Sequence, residues 1–341
     1  MSKCLHVPND PRLGFTVHLP AALAGDHVHG LPPYAPVCGY EVDLYPDAPQ
    51  SWARTQGCTG GYFVGVREGC GMWLDFNVCR SHPHHVAVVV SIQGINPLTG
   101  RKTEGLQMER YPDDPTVEEW LRGYQNYLAT TSTPLGYMWI DGFRARDGTV
   151  RQYVFTKDES RGVASQLIGV DRVFAIGAAF FVSREPKPEP KRETLRGVVH
   201  NPWHNVKGAP SGPLQWIPGT QVTYGSSTGA GEFQPLTRLM SASPNGELEI
   251  ASYNAMTASP AMPELPDIES PAQERLEIAA GAQISQTLYR DHCPPAFWQT
   301  EAAGVVVVNY APEEMVNRIL AAGRIAKAAE GFLGGMKVGT P

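Results

Sequence analysis

The residues of this sequence best suited to hold a metal ion lie in one short tract, Cys79-Arg80-Ser81-His82-Pro83-His84-His85. Thiolates and neutral imidazoles are the usual ligands of zinc, and a structural zinc site takes four of them. Cys79, His82 and His84 are the candidate ligands. His84 and His85 point to opposite faces once a strand has begun, so only one of that pair joins His82 easily. His27 and His29, in Asp26-His27-Val28-His29, share a strand face at i and i+2 and are the partners that would complete the set. Zinc bound there would make the chain a metal-dependent hydrolase or lyase. The alternative is a polar surface loop whose imidazoles hydrogen-bond water, and no Cys-x-x-Cys pair sharpens the choice.

Other tracts are weaker. His200 and His204 have the i, i+4 spacing of a helical ligand pair, but Pro202 stands between them, and a polar turn is expected. Asp291-His292-Cys293 sets acid, base and thiol in succession, yet a reactive thiol needs a lowered pKa and a base oriented towards it. Adjacent residues rarely meet that demand, and Pro294-Pro295 favours a turn. Gly225–Gly231 lacks the Gly-Lys-Ser/Thr ending of a phosphate loop. Arg144, Arg146 and Arg151 surround two Asp-Gly turns, either as a small anion-binding face or as solvated charges paired with acidic neighbours. No His-Glu-x-x-His motif and no paired-carboxylate signature stands out.

The elements that must position these residues read as β. His85–Ile92 is a β-branched run bounded by Pro83 and Gly94, the pattern of a central strand buried on both faces. Met72–Asn77 alternates and predicts a half-buried strand, joined to Gly60–Val66 as a hairpin through Glu68-Gly69-Cys70-Gly71. Further strands are expected at Phe15–Leu19, Gly39–Leu44, Tyr137–Ile140, Val150–Thr156, Val163–Ile168, Val173–Ser183, Gln221–Tyr224, Glu247–Ser252, Ile278–Tyr289 and Val305–Tyr310. Two helices are expected. One opens at Asp114-Pro115 and runs over about 115–129; the other carries the Met315, Val316, Ile319, Leu320 and Ile325 stripe over about 312–333. The expected fold class is therefore mainly β, an antiparallel sandwich with two helices.

Proline and charge suggest a division of the chain. Residues 1–57 read as an irregular arm, 58–184 as the sandwich core, 185–196 as a proline-rich linker, and 197–341 as a second β-rich region ending in a helix. Thirty-five glycines and 30 prolines in 341 residues suit short strands and turns. The net charge of −6, with no basic block, argues against nucleic acid as a partner. No apolar run has the length of a membrane span, and the first residues lack the apolar core of a secretory leader. Six dispersed cysteines fit reduced thiols and a cytoplasmic location.

Four ordered tracts resemble a family of uncharacterised bacterial and fungal β-rich proteins, some of which carry ubiquitin-like modules. They are Gly61–Asn77 with GMWLDFN, Ser91–Gly100 with SIQGINPLTG, Trp139–Thr156 with DGTVRQY, and Ala279–Asp291 with GAQISQ. The resemblance implies an architecture and supplies no catalytic residues. The functional expectation is a non-catalytic scaffold or binding protein without a cofactor, associating with itself through an arm that completes a neighbour's sheet. The alternatives are the hydrolase or lyase at 79–85 and a glycan- or small-ligand-binding module using exposed Trp and Tyr.

Overall fold

Alternation and β-branching set the layout. The computed structural model describes residues 3–103, 105–147, 149–188 and 275–323. Among them the chain forms two sheets. The first orders β1 (Cys4–Val7), β2 (Asp10–His18), β5 (Gly71–Asp75), β10 (Val150–Thr156) and β12 (Glu277–Ile284), with β8 (Trp139–Ile140) on β5 and β9 (Gly142–Arg144) on β10. The second orders β3 (Tyr40–Glu41), β4 (Thr59–Val66), β13 (Gly304–Pro312), β11 (Ala175–Pro186), β6 (His84–Ile92) and β7 (Tyr127–Ala129). The pairings are antiparallel except β13 with β4, which run parallel. The protein is mainly β, a sandwich of two sheets.

Alternate residues of each strand fill the space between the sheets. Phe15 and Val17, Met72 and Leu74, Tyr153 and Phe155 point in from the first sheet; Val86, Val88, Val90, Phe180, Val306 and Val308 meet them from the second. The second sheet is covered outside as well. Ala87, Val89, Tyr127, Phe181 and Trp298 form one outer cluster, and Phe63 with Val316 and Ile319 of the helical residues 313–323 forms another. That double cover is why β6 reads as an unbroken apolar run.

The tract Asn96-Pro97-Leu98-Thr99-Gly100 is a turn held by one side chain. Asn96 Nδ2 donates to the carbonyls of Val90 and Asn126, while its Oδ1 accepts from Leu98 N, Thr99 N and Thr99 Oγ1. Four of these five partners are local, so the turn is specified by its own sequence.

Several expectations are corrected. Residues 115–129 are not a helix: they hold a 3-10 turn at Glu119–Leu121 and then β7. Asp114 caps only the Thr116 N–H and hydroxyl, and Gly123 has φ +69, which stops a helix there. Tyr127–Ala129 gains more by pairing with Ala87–Val89 at the sheet edge. Val163–Ile168 is an α-helix (α1), not a strand. It buries Val163 and Ala164 against the core and ends at Gly169, φ +59. The two helices are thus α1 and the helical residues 313–323. β4 and β5 belong to different sheets and form no hairpin, because each buries both faces in its own layer.

The expected boundaries at 57 and 184 fall inside the sheets. β1 and β2 come from the supposed arm, and β12 and β13 from the supposed second region. Leu5, Leu13, Phe15 and Val17 are buried in this chain's own core, so they need no neighbour to cover them. The candidate strands Gln221–Tyr224 and Glu247–Ser252 lie outside the described residues, as do most of the linker 185–196 and residues 324–333.

Candidate functional site

The expected metal ligands are not brought together. Cys79 is buried in the core, and its thiol donates to the Gly14 carbonyl. Burial pushes its pKa to about 12, the opposite of what a metal ligand needs. His82 Nε2 faces Asp10 Oδ2 at 3.3 Å, and its Nδ1 accepts from His84 N. His84 Nδ1 hydrogen-bonds the Ser183 carbonyl at 2.8 Å. His27 and His29 pack against each other with their rings tilted, and His29 is bridged to Ile284 on β12. Among the described residues no three His, Cys, Asp or Glu side chains form a metal-ligating group.

The other candidates resolve similarly. Arg144 is buried, stacks on Tyr124 at 3.6 Å and donates to Leu98 O, so it braces two loops. Arg146 is exposed and Arg151 half-buried. Cys293 has its pKa raised by burial and by the charge of Asp291, which keeps it a thiol. His200, His204 and Gly225–Gly231 lie outside the described residues.

A different constellation forms on the outer face of the first sheet. Trp73-Leu74-Asp75 ends β5, and Trp139-Ile140-Asp141 begins at β8; the two run antiparallel, with Leu74 opposite Ile140 and Asp75 opposite Trp139. Leu74 and Ile140 enter the core, so both Trp and both Asp side chains point outward. Outward here does not mean into water. A strap over residues 20–37 lies across this face, fixed by Gly71 N to Pro20 O, Leu23 N to Gln152 Oε1, Trp73 Nε1 to Pro33 O, and Val37 N to Val17 O.

Beneath the strap the groups crowd one another. His18, on β2, stacks on Trp73 with centroids 3.7 Å apart, and Tyr34 packs on both rings. The Tyr34 hydroxyl donates to Asp75 Oδ2 at 3.4 Å, and Asn77 N donates to Asp75 Oδ1 at 2.8 Å. Trp139 Nε1 donates to Asp141 Oδ2 at 3.1 Å, and Asp141 N donates to Gln286 Oε1. Gln152 packs against Gly71, where a Cβ would sit 2.3 Å from its Nε2 and push the amide aside. Asp75 is 7% exposed, Asp141 1% and His18 0%, whereas Tyr34 is 65% exposed and forms the outer cover.

Electrostatically the nest is unbalanced. Among the described residues neither carboxyl pairs with a lysine or arginine; the nearest cationic candidate is His18, with Nε2 4.0 Å from Asp75 Oδ2. Burial raises the pKa of Asp141 to about 7; the Trp139 hydrogen bond opposes the shift and the charge of Asp75 adds to it. Burial also raises Asp75, partly offset by its bonds from Asn77 and Tyr34. Burial lowers His18 to about 4, so it is neutral near pH 7. Its Nδ1 accepts from Ala35 N, which puts the ring proton on Nε2, and that N–H has no hydrogen-bond acceptor. A shallow groove borders the nest through Trp139 and is lined also by Tyr137, Thr287 and Tyr289.

These carboxyls are a stability cost with a defined pH dependence. Asp141 has a folded pKa of about 7 against an ordinary value of 3.8, so between the two the folded state binds more protons than the unfolded state. Stability therefore falls as pH rises through that window and levels off above it. Asp141→Asn keeps an acceptor for Trp139 and carries no charge. It is expected to be more stable than the natural protein at pH 8, by on the order of a few kcal/mol, with the difference vanishing near pH 4. Urea denaturation at the two pH values checks this; equal stabilities at pH 8 would show that Asp141 titrates normally.

No family model, no curated protein and no solved structure matches this chain. Sequence reasoning missed the nest, although the repeated Trp-x-Asp of residues 73–75 and 139–141 was a signal. Two identical polar–aromatic steps on separate strands become one site when the strands pair. Among the described residues no helix is long and apolar enough to cross a membrane.

Proposed function

We propose that this chain is a non-catalytic binding protein that takes a small polar ligand into the nest formed by Asp75, Asp141, Trp73, Trp139, His18 and Tyr34. The observation that supports it is the pair of buried carboxyls without a basic partner among the described residues, beside an imidazole N–H likewise unpaired among them. Folds rarely retain that cost without a use, and uncompensated buried groups with perturbed pKa values concentrate at functional sites. Aromatic rings with a few convergent polar groups are the usual lining of a ligand site. A binding role fits better than a nucleophilic one, since burial raises Cys4 to about 11, Cys79 to about 12, and Cys293 above the ordinary thiol value.

Self-association through the N-terminal arm is not part of this reading, because Leu5, Leu13, Phe15 and Val17 of the arm are already buried in its own core. Membership in the family that the four tracts resemble is proposed on those tracts alone. A thermal-shift screen of the full chain against sugars, amino alcohols and amino acids tests the binding role. A compound that raises the Tm of the natural protein and not of Asp75→Asn is the expected result. A panel in which no compound separates the two proteins would count against the reading.

A further inference from the structure

We infer that the ligand of the nest is an organic ammonium cation carrying a hydroxyl or carbonyl oxygen close to its nitrogen, the chemistry of an amino alcohol. This rests on the binding reading above and narrows it to one chemical class. Three independent features of the nest specify the two ends of such a molecule.

The first is charge. Asp75 and Asp141 face each other's field with no lysine or arginine of the described residues against them, and Cys4, Cys79 and Tyr34, which also feel the charge of Asp75, are neutral acids. An anionic ligand would add a third negative group to this site. A neutral sugar would donate hydrogen bonds to the carboxyls but bring no opposite charge. A cation lets both ionise in place, because opposite charge within a few ångströms favours the charged form.

The second is the aromatic wall. Trp73 and Tyr34 stand with ring centroids 5.6 Å apart at an interplanar angle of 62°, and Trp139 adjoins Asp141. His18 lies against both rings, 3.7 Å from Trp73 and 4.3 Å from Tyr34, so their negative faces open to an alkylated ammonium group, as in an aromatic cage, once Tyr34 has moved. The alkyl groups gain apolar contact there, and the diffuse charge of such a cation costs less to desolvate than a metal ion.

The third is His18. It is fully buried, its Nδ1 is occupied by Ala35 N, and its Nε2–H points towards Asp75 across a 4.0 Å gap that makes no hydrogen bond. An oxygen on the ligand would accept from it. Because the imidazole is neutral, it donates one hydrogen bond without adding a repelling charge to the cation. The Tyr34 side chain, exposed and holding Asp75 by a long 3.4 Å bond, is the piece that swings aside to admit the ligand. The same step releases the strap only locally, since its anchors at Pro20, Leu23 and Val37 lie elsewhere.

The test is isothermal titration of the full-length protein at pH 8 with choline, tetramethylammonium and methyl glucoside. Choline is expected to bind, tetramethylammonium to bind more weakly for want of the oxygen, and methyl glucoside not to bind. Asp75→Asn should weaken choline by about tenfold or more, the loss of one charge-assisted contact. His18→Gln should reduce the choline affinity to that of tetramethylammonium. Circular dichroism of each variant confirms that it is folded, and Asp141→Asn, expected to be the most stable of them, provides a second charge deletion. If methyl glucoside binds in an Asp75-dependent manner and choline does not, the ammonium assignment is overturned while the nest remains a ligand site. If choline binds Asp75→Asn and Asp141→Asn as tightly as it binds the natural protein, the ligand sits elsewhere and the assignment is also overturned. If none of the three binds at millimolar concentration, the ammonium assignment falls, and the broader ligand screen decides the binding reading separately.

Discussion

Val88→Asp is expected to yield no soluble folded protein. Val88 is fully buried at the centre of β6, opposite Phe180 of β11 on one side and Leu128 of β7 on the other. Its side chain enters the space between the sheets, in the apolar cluster that holds Phe76, Phe180 and Val308. An unpaired charge there costs several kcal/mol at least, against a total stability of about 5–15 kcal/mol for an ordinary domain. Val88→Ala serves as the control. It removes only apolar contact, on the order of 2 kcal/mol, and should remain soluble. The soluble fraction on expression and the far-ultraviolet circular dichroism of both variants settle the matter. A soluble Val88→Asp protein with the natural spectrum would show that β6 is not the central buried strand.

The second large effect is expected at Asp291. Its buried carboxylate is the acceptor for five donors from three stretches of chain: Arg110, Tyr127 OH, Trp298 Nε1, Thr131 Oγ1 and Cys293 N. Arg110 also donates to the Tyr127 hydroxyl, so the network closes on itself. Burial alone would raise the carboxyl, but the bonds from Cys293, Trp298, Thr131 and Tyr127 outweigh it and hold the pKa below the usual range. Asp291→Ala strands buried donors and is expected to cost about 3–5 kcal/mol; Asp291→Asn, which keeps one acceptor, should cost less. Urea denaturation reads this as a lower midpoint at an unchanged m-value. The pH dependence runs opposite to that of Asp141. A carboxyl with a lowered folded pKa contributes stability that is present above its ordinary value of 3.8 and is lost as pH falls through the folded value. An Asp291→Ala protein as stable as the natural one would mean that the five donors find other partners.

The contrast between these two carboxyls shows what their neighbours decide. Asp291 sits in Tyr289-Arg290-Asp291-His292-Cys293, and Asp141 in Trp139-Ile140-Asp141-Gly142; neither context announces a buried acid. One is satisfied by five donors and stays ionised. The other meets one indole N–H and a second carboxyl, and holds its proton to about pH 7.

By itself the sequence determined what depends on near neighbours. The Val-rich run of β6 and the alternation of Met72, Leu74 and Phe76 mark strands and their core-facing side, because side-chain direction repeats every two residues. The span of β10, Val150–Thr156, and the turn held by Asn96 are legible for the same reason. Tertiary structure decided the rest. The helix signal at Asp114-Pro115 gave way to β7 because pairing with β6 offers 115–129 more than an isolated helix does. The polar side of Met72–Asn77, which alternation assigns to solvent, lies under the strap instead. The histidines that looked like one metal site are spread over separate hydrogen-bond partners, and the site that does form joins strands far apart in the chain. Alternation tells which way a side chain points but not what will cover it, and burial and charge partners, which set the chemistry of Asp75 and Asp141, exist only once the sheets have closed.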